Sequence, residues 1–142
     1  MHGTPAPTHP LVRIRSSATI REAAQLMCDM SMGALGIDGP HHEFAGIYTE
    51  RDLMWNVAQG KDPGTRLTEV LNDFPVIVEG PLSSLEAAIR MLDAHVRHLI
   101  VREGGELRIV SSRDLVRDDV SRGVGETSLA HTEMAHMFGG SR

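Results

Sequence analysis

Cysteine is all but missing from this chain of 142 residues: Cys28 stands alone, so no disulfide can form within the chain. Aromatic residues are equally few, with three Phe, one Trp and one Tyr, so packing falls to aliphatic side chains and eight Met. No apolar run approaches the roughly 20 residues that a membrane-spanning helix needs. The opening stretch from Met1 to Pro10 has neither a cationic head nor an apolar core, so no secretory signal is expected. Its prolines suggest an extended, poorly ordered arm instead. Positive charge is short as well. The net charge is −5, and Arg113, Arg117 and Arg122 lie among Asp114, Asp118 and Asp119. A nucleic-acid binder or an acidic-membrane binder needs a concentrated basic surface, so neither partner is expected. What remains is an ordinary balance, 41% hydrophobic and 23% charged, which suits one compact cytoplasmic domain or two intimate subdomains.

Against these absences stands a duplication. Thr19-Ile20-Arg21-Glu22-Ala23-Ala24 returns 64 residues later as Ser83-Ser84-Leu85-Glu86-Ala87-Ala88. Thr49-Glu50-Arg51-Asp52-Leu53 returns 62 residues later as Ser111-Ser112-Arg113-Asp114-Leu115. The spacing within a copy differs by two residues, which a loop absorbs. Two β/α units, each too small to close a core alone, imply a paired module with a cleft between its halves.

Each copy reads as strand, helix, strand, strand, helix, an α/β (α+β) fold of two tandem β-α-β-β-α repeats. In the first, Val12 to Ile14 alternates like a strand. Thr19 and Glu22 form a capping box, and a helix follows from Ile20 to Met30. Its apolar face is Ile20, Ala23, Ala24, Met27 and Met30, with Gly33 as its terminating glycine. Strands over Ala34–Ile37 and Phe44–Tyr48 precede a helix opened by Thr49 and stopped at Gly60. In the second, Val76–Val78 is a strand, and Ser83 with Glu86 repeats the capping box. Leu85, Ala88, Ile89 and Leu92 are expected to be the buried helix face. His98–Val101 pairs with Leu107–Val110, and Ser111 opens the last helix. The expected organisation is an arm over 1–11, repeats over 12–60 and 76–120, a linker with a short helix over 61–75, and a tail over 121–142. Leu129, Met134, Met137 and Phe138 give that tail a weak amphipathic pattern, suited equally to packing on a neighbour or to fraying.

The order strand, T/S-x-x-E-A helix, G-A-L-G-I or H-L-I-V strand, and T/S-x-x-D before a helix resembles the cystathionine-β-synthase (CBS) domain. Two in tandem resemble a Bateman module, and the likeness runs from about Val12 to Val120. The resemblance implies a regulatory protein whose paired repeats enclose a ligand cleft and which forms a homodimer and signals to an unidentified protein partner. No cofactor is obligatory. AMP, ADP, ATP or another adenosyl ligand is the implied occupant. The family's roles fall on Thr49 and Ser111, for phosphate, and on Asp52 and Asp114, for the ribose hydroxyls. Ile14, Ala34 and Leu35 in one site, and Val76, Ile77 and Leu99 in the other, are then the walls for an adenine.

The residues themselves support two readings of T/S-x-x-D. A helix N-terminus offers unpaired N–H groups and a partial positive charge to a phosphate, and a carboxylate can accept from both ribose hydroxyls. The same spacing is also a capping box that needs no ligand. The copies are unequal. Gly46 is matched by Arg108, which either crowds the cleft or points to solvent, while Gly36 and Ile100 stand where the family often has proline. Arg97 and His98 could reach a phosphate in the second copy. One ligand-competent site is expected, with neither copy singled out, and a ligand-free interaction protein with the same fold is the alternative.

The other reactive residues carry little. The eight His show no helical pair at ligand spacing and no cysteine or clustered carboxylates beside them, so no metal site is expected. With no nucleophile–base pair or phosphate-binding Gly-rich loop, catalysis is not expected either. Cys28, in register with Leu92, reads as a small buried hydrophobe. The helix holding Leu53, Met54, Trp55, Val57 and Ala58 has more apolar surface than one buried face needs, which suits a dimer contact or ordinary core packing.

Overall fold

The computed structural model describes residues 3–71 and 75–123. The chain divides into two units, Pro10–Val76 and the amino-terminal residues through His9 together with the chain from Ile77 on. In the first unit, β2 (Arg13–Arg15), α1 (Ile20–Met30), β3 (Ala34–Asp38), β4 (Phe44–Thr49) and α2 (Glu50–Ala58) follow in order. In the second, β5 (Ile77–Glu79), α3 (Ser84–Ala94), β6 (His98–Glu103), β7 (Glu106–Ser111) and α4 (Ser112–Gly123) repeat it. The expected order of elements is therefore present twice. A two-residue strand, β1 (His9–Pro10), precedes them all.

Both sheets use one plan. β2 runs parallel to β3, with Ile14 opposite Ile37, so the chain must cross over between them, and α1 is that crossover. β3 then turns back antiparallel to β4, with Ala34 opposite Thr49. In the second unit β5 is parallel to β6 and β6 antiparallel to β7, with His98 opposite Ser111, and β1 adds itself beside β7. Ala18, Ile20, Ala23, Met27, Leu35, Ile37, Tyr48, Leu67 and Val70 form the core of the first unit. Val78, Ala87, Met91, Leu99, Val101, Val110 and Leu115 are their buried counterparts in the second.

The capping boxes form as expected. The Glu22 amide donates to Thr19 Oγ1 at 3.1 Å, and the Glu86 amide donates to Ser83 Oγ at 3.1 Å. The helix ends differ from expectation. Ser31, not Gly33, takes the left-handed conformation after α1 (φ 52°), and His95 does so after α3 (φ 55°). At Gly33 an added Cβ would stand 3.1 Å from Glu50 Oε1, the end of an exposed side chain. Among the described residues, the linker has a single 3₁₀ turn, Leu67–Glu69, in place of the expected short helix.

The buried helix faces also differ. α1 buries Ile20, Ala23 and Met27, and α3 buries Ser84, Ala87 and Met91, the same three positions 64 residues on. Ile89, Leu92 and Met30, expected inside, are exposed, Leu92 by 75%. Cys28 is exposed too, so its register with Leu92 holds while its expected burial does not. Apolar residues surround most of α3, and its periodicity alone therefore does not select one face.

Each unit is completed by chain that precedes the other repeat. In the first, the Leu67 amide donates to Ala18 O at 2.8 Å and the Ile20 amide to Thr65 O at 2.9 Å. In the second, the Ala6 amide donates to Leu82 O at 2.8 Å and the Ser84 amide to Thr4 O at 2.7 Å. Leu82 and Ser84 are the repeat partners of Ala18 and Ile20. Residues 4–6 thus do for the second unit what 65–67 do for the first. Where the prolines suggest a poorly ordered arm, the structure has hydrogen-bonded chain.

Candidate functional site

Both T/S-x-x-D motifs sit where a strand runs directly into a helix. β4 ends on Thr49 and β7 on Ser111, and α2 and α4 begin at the next residues. In the first motif the Asp52 amide donates to Thr49 Oγ1 at 3.2 Å. The Thr49 amide donates to Asp52 Oδ2 at 2.8 Å, and the Thr49 hydroxyl lies 3.0 Å from the same oxygen. In the second, the Asp114 amide donates to Ser111 Oγ at 3.0 Å and the Ser111 amide to Asp114 Oδ2 at 2.9 Å. The reciprocal cap is present in both copies.

The first helical amides are engaged as well. Glu50 N–H donates to Gly33 O at 2.9 Å, and Ser112 N–H donates to Arg97 O at 2.8 Å. Two of the first three amides of each helix are therefore already bonded to protein, and an anion would have to share or exchange those bonds. A carboxylate has about four lone-pair positions, more than the cap alone uses. The four polar motif residues are half-buried, open enough to meet a solute.

The surroundings of the two motifs diverge. In the first, Tyr48 is 1% exposed, and its hydroxyl donates to the buried Asn56 Oδ1, fixing α2 to β4 at the motif. Burial, and secondarily the charge of Asp52, pushes the Tyr48 phenol up to about 12. Sequence reasoning missed this pair; the visible signal was the chain's single tyrosine adjoining the motif. In the second, the same register holds Val110, which is buried, and Asp118, which instead meets Arg122 at 3.1 Å on the helix surface.

Arg108 neither crowds an opening nor points to solvent. Its Nε donates to Thr8 Oγ1 at 2.9 Å and its Nη2 to Thr8 O at 3.1 Å, with Glu106 and Glu103 at 3.9 and 4.0 Å. The next residue, His9, brings Nε2 to 3.3 Å from Asp114 Oδ1. At Gly46, the counterpart of Arg108, an added Cβ would meet only Leu71 at 3.8 Å, an ordinary contact. The glycine is suited instead to its φ of 157°.

The expected wall residues are mixed. Ala34, Leu35 and Leu99 are buried, Leu35 inside the core of the first unit. Ile14 and Val76 are half-buried and Ile77 is exposed. Arg97 is exposed and contributes its carbonyl to the start of α4, and His98 is half-buried opposite Ser111. Among the described residues no group of His, Cys, Asp and Glu is arranged to hold a metal ion, and no helix is long and apolar enough to cross a membrane. His131, His136 and the apolar positions of the tail lie outside the described residues.

No protein-family model matches the chain. It is 30% identical over 130 residues to the CBS domain-containing protein YhcV of Bacillus subtilis, covering 87% of this chain and 91% of that one. Among solved structures, it is similar to a putative signal-transduction protein with CBS domains from Burkholderia ambifaria. That likeness has 29% identity and a TM-score of 0.70, over 80% of this chain and 84% of the other. It is also similar to the CBS domain protein PAE2072 from Pyrobaculum aerophilum, a structure complexed with AMP. There the identity is 25% and the TM-score 0.66, over 75% of this chain and 83% of that one.

Proposed function

Because the chain belongs to the CBS domain family, we propose that it is a regulatory CBS pair that binds an adenosine nucleotide or related adenosyl ligand. The ligand is held at Thr49 and Asp52, Ser111 and Asp114. The observation that carries this reading is the motif itself, built twice at strand-to-helix junctions, with a half-buried carboxylate in the first turn of each helix. The AMP complex of the Pyrobaculum relative supports the ligand class. The protein acts without catalysis of its own, in the cytoplasm, as a homodimer. Ligand binding shifts its conformational equilibrium by no more than the ligand's differential affinity for the two states, and a protein partner reads that shift.

Thermal unfolding with AMP, ADP, ATP, S-adenosylmethionine and NAD tests the proposal. A ligand at about 100 times its Kd adds about 2.7 kcal/mol to the folded state and raises Tm by about 5 °C or more. At least one of the five is expected to do so, and Asp52→Asn or Asp114→Asn to weaken it about tenfold, the loss of one charge-assisted hydrogen bond. Saturable binding that ignores both substitutions would place the site elsewhere. No shift with any of them would favour a ligand-free interaction protein, a reading that the exposed Met30, Met54, Trp55 and Val57 also accommodate.

A further inference from the structure

The two motifs differ most in what the amino-terminal segment does at one of them. The repeat register that carries Thr4 to Thr65 and Ala6 to Leu67 carries His9 to Val70. Val70 belongs to the core of the first unit and is 7% exposed. His9 has instead an imidazole at Asp114. The cap uses Asp114 Oδ2, and His9 Nε2 stands at Oδ1, the oxygen that the cap leaves. Arg108 secures the preceding residue, Thr8, through both its hydroxyl and its carbonyl, and the Ala6 amide anchors the segment further back. The first motif has Gly46 where Arg108 stands, and so has no side chain there to hold such a segment.

We propose that the amino-terminal segment is a resident competitor at the second motif: His9 holds the Asp114 carboxylate that a nucleotide's ribose would use, and Arg108 sets how firmly. The second motif fills only as the segment releases Asp114. The proposal rests on the nucleotide reading above. It assigns His9, Thr8 and Arg108 the role of making the two motifs unequal, and it makes the amino-terminal segment the part of the chain that moves on second occupancy.

Calorimetric titration with AMP in an Asp52→Asn background reads the second motif against a first motif weakened about tenfold. Adding His9→Ala is expected to tighten AMP binding about two- to fivefold, the range for releasing an exposed side-chain contact. Arg108→Ala, which frees Thr8 and leaves Asp114 untouched, is expected to tighten it in the same direction. Asp114→Asn added to His9→Ala should remove the gain. Equal affinity with and without His9 and Arg108 overturns the competitor while leaving the nucleotide reading intact. A gain that survives Asp114→Asn overturns it too, because the competition would then not be for that carboxylate. Absence of AMP binding in the unsubstituted chain and every variant overturns both.

Discussion

At the residue scale, the motif hydroxyls and carboxylates are structural before they are functional. Thr49 and Asp52 satisfy each other's backbone amides, so removing either costs about 1 kcal/mol of helix stability whether or not a ligand exists. Behind them, Tyr48 carries a testable pH signature. Its phenol is held up at about 12 against 10.0 in an ordinary setting, so the folded state keeps a proton that the unfolded chain loses first. That contribution to stability is complete below pH 10 and is lost as pH rises toward 12, on the order of 2 kcal/mol in all. Since the chain has one tyrosine, tyrosinate absorbance reports it directly: a midpoint near 12 folded and near 10 in denaturant is expected. Tyr48→Phe should abolish this alkaline loss and cost about 1–3 kcal/mol at neutral pH, because buried Asn56 loses its donor. A folded-state midpoint near 10 would contradict the account.

At the scale of elements, helix extents were legible and helix faces were not. Thr19, Ser83 and Thr49 announce their helices because a capping residue has one local solution. Which side of α3 meets its sheet is a tertiary matter, and Ile89 and Leu92 are as apolar as the residues that are buried. Met91→Ala should therefore cost about 2–5 kcal/mol, and Leu92→Ala less than about 0.5, in denaturant unfolding. Equal costs would mean that the face is misassigned. The exposed apolar residues Met54, Trp55 and Val57 on α2 removed core packing as their explanation, since Trp55 is 54% exposed in the single chain. Trp55→Glu is expected to shift the proposed dimer toward monomer in sedimentation at little cost to the fold. A dimer unchanged by it would place the interface on another face.

At the scale of the whole chain, duplication was the legible feature, because capping boxes and T/S-x-x-D recur at fixed offsets. The matching role of residues 4–6 and 65–67 was not legible. Thr4-Pro5-Ala6 and Thr65-Arg66-Leu67 share only a threonine, and their common task is carried by backbone hydrogen bonds, which leave almost no trace in side-chain identity. The same blindness hid the contact of His9 with Asp114, made across more than a hundred residues of chain. The central claim, that the paired carboxylates hold an adenosine ligand, is tested most directly by calorimetric titration of AMP into the intact chain and its Asp52→Asn, Asp114→Asn double variant. The account predicts saturable binding to the first and binding weakened about tenfold or more in a folded second. Undiminished binding to the double variant, or none to the intact chain, would contradict it.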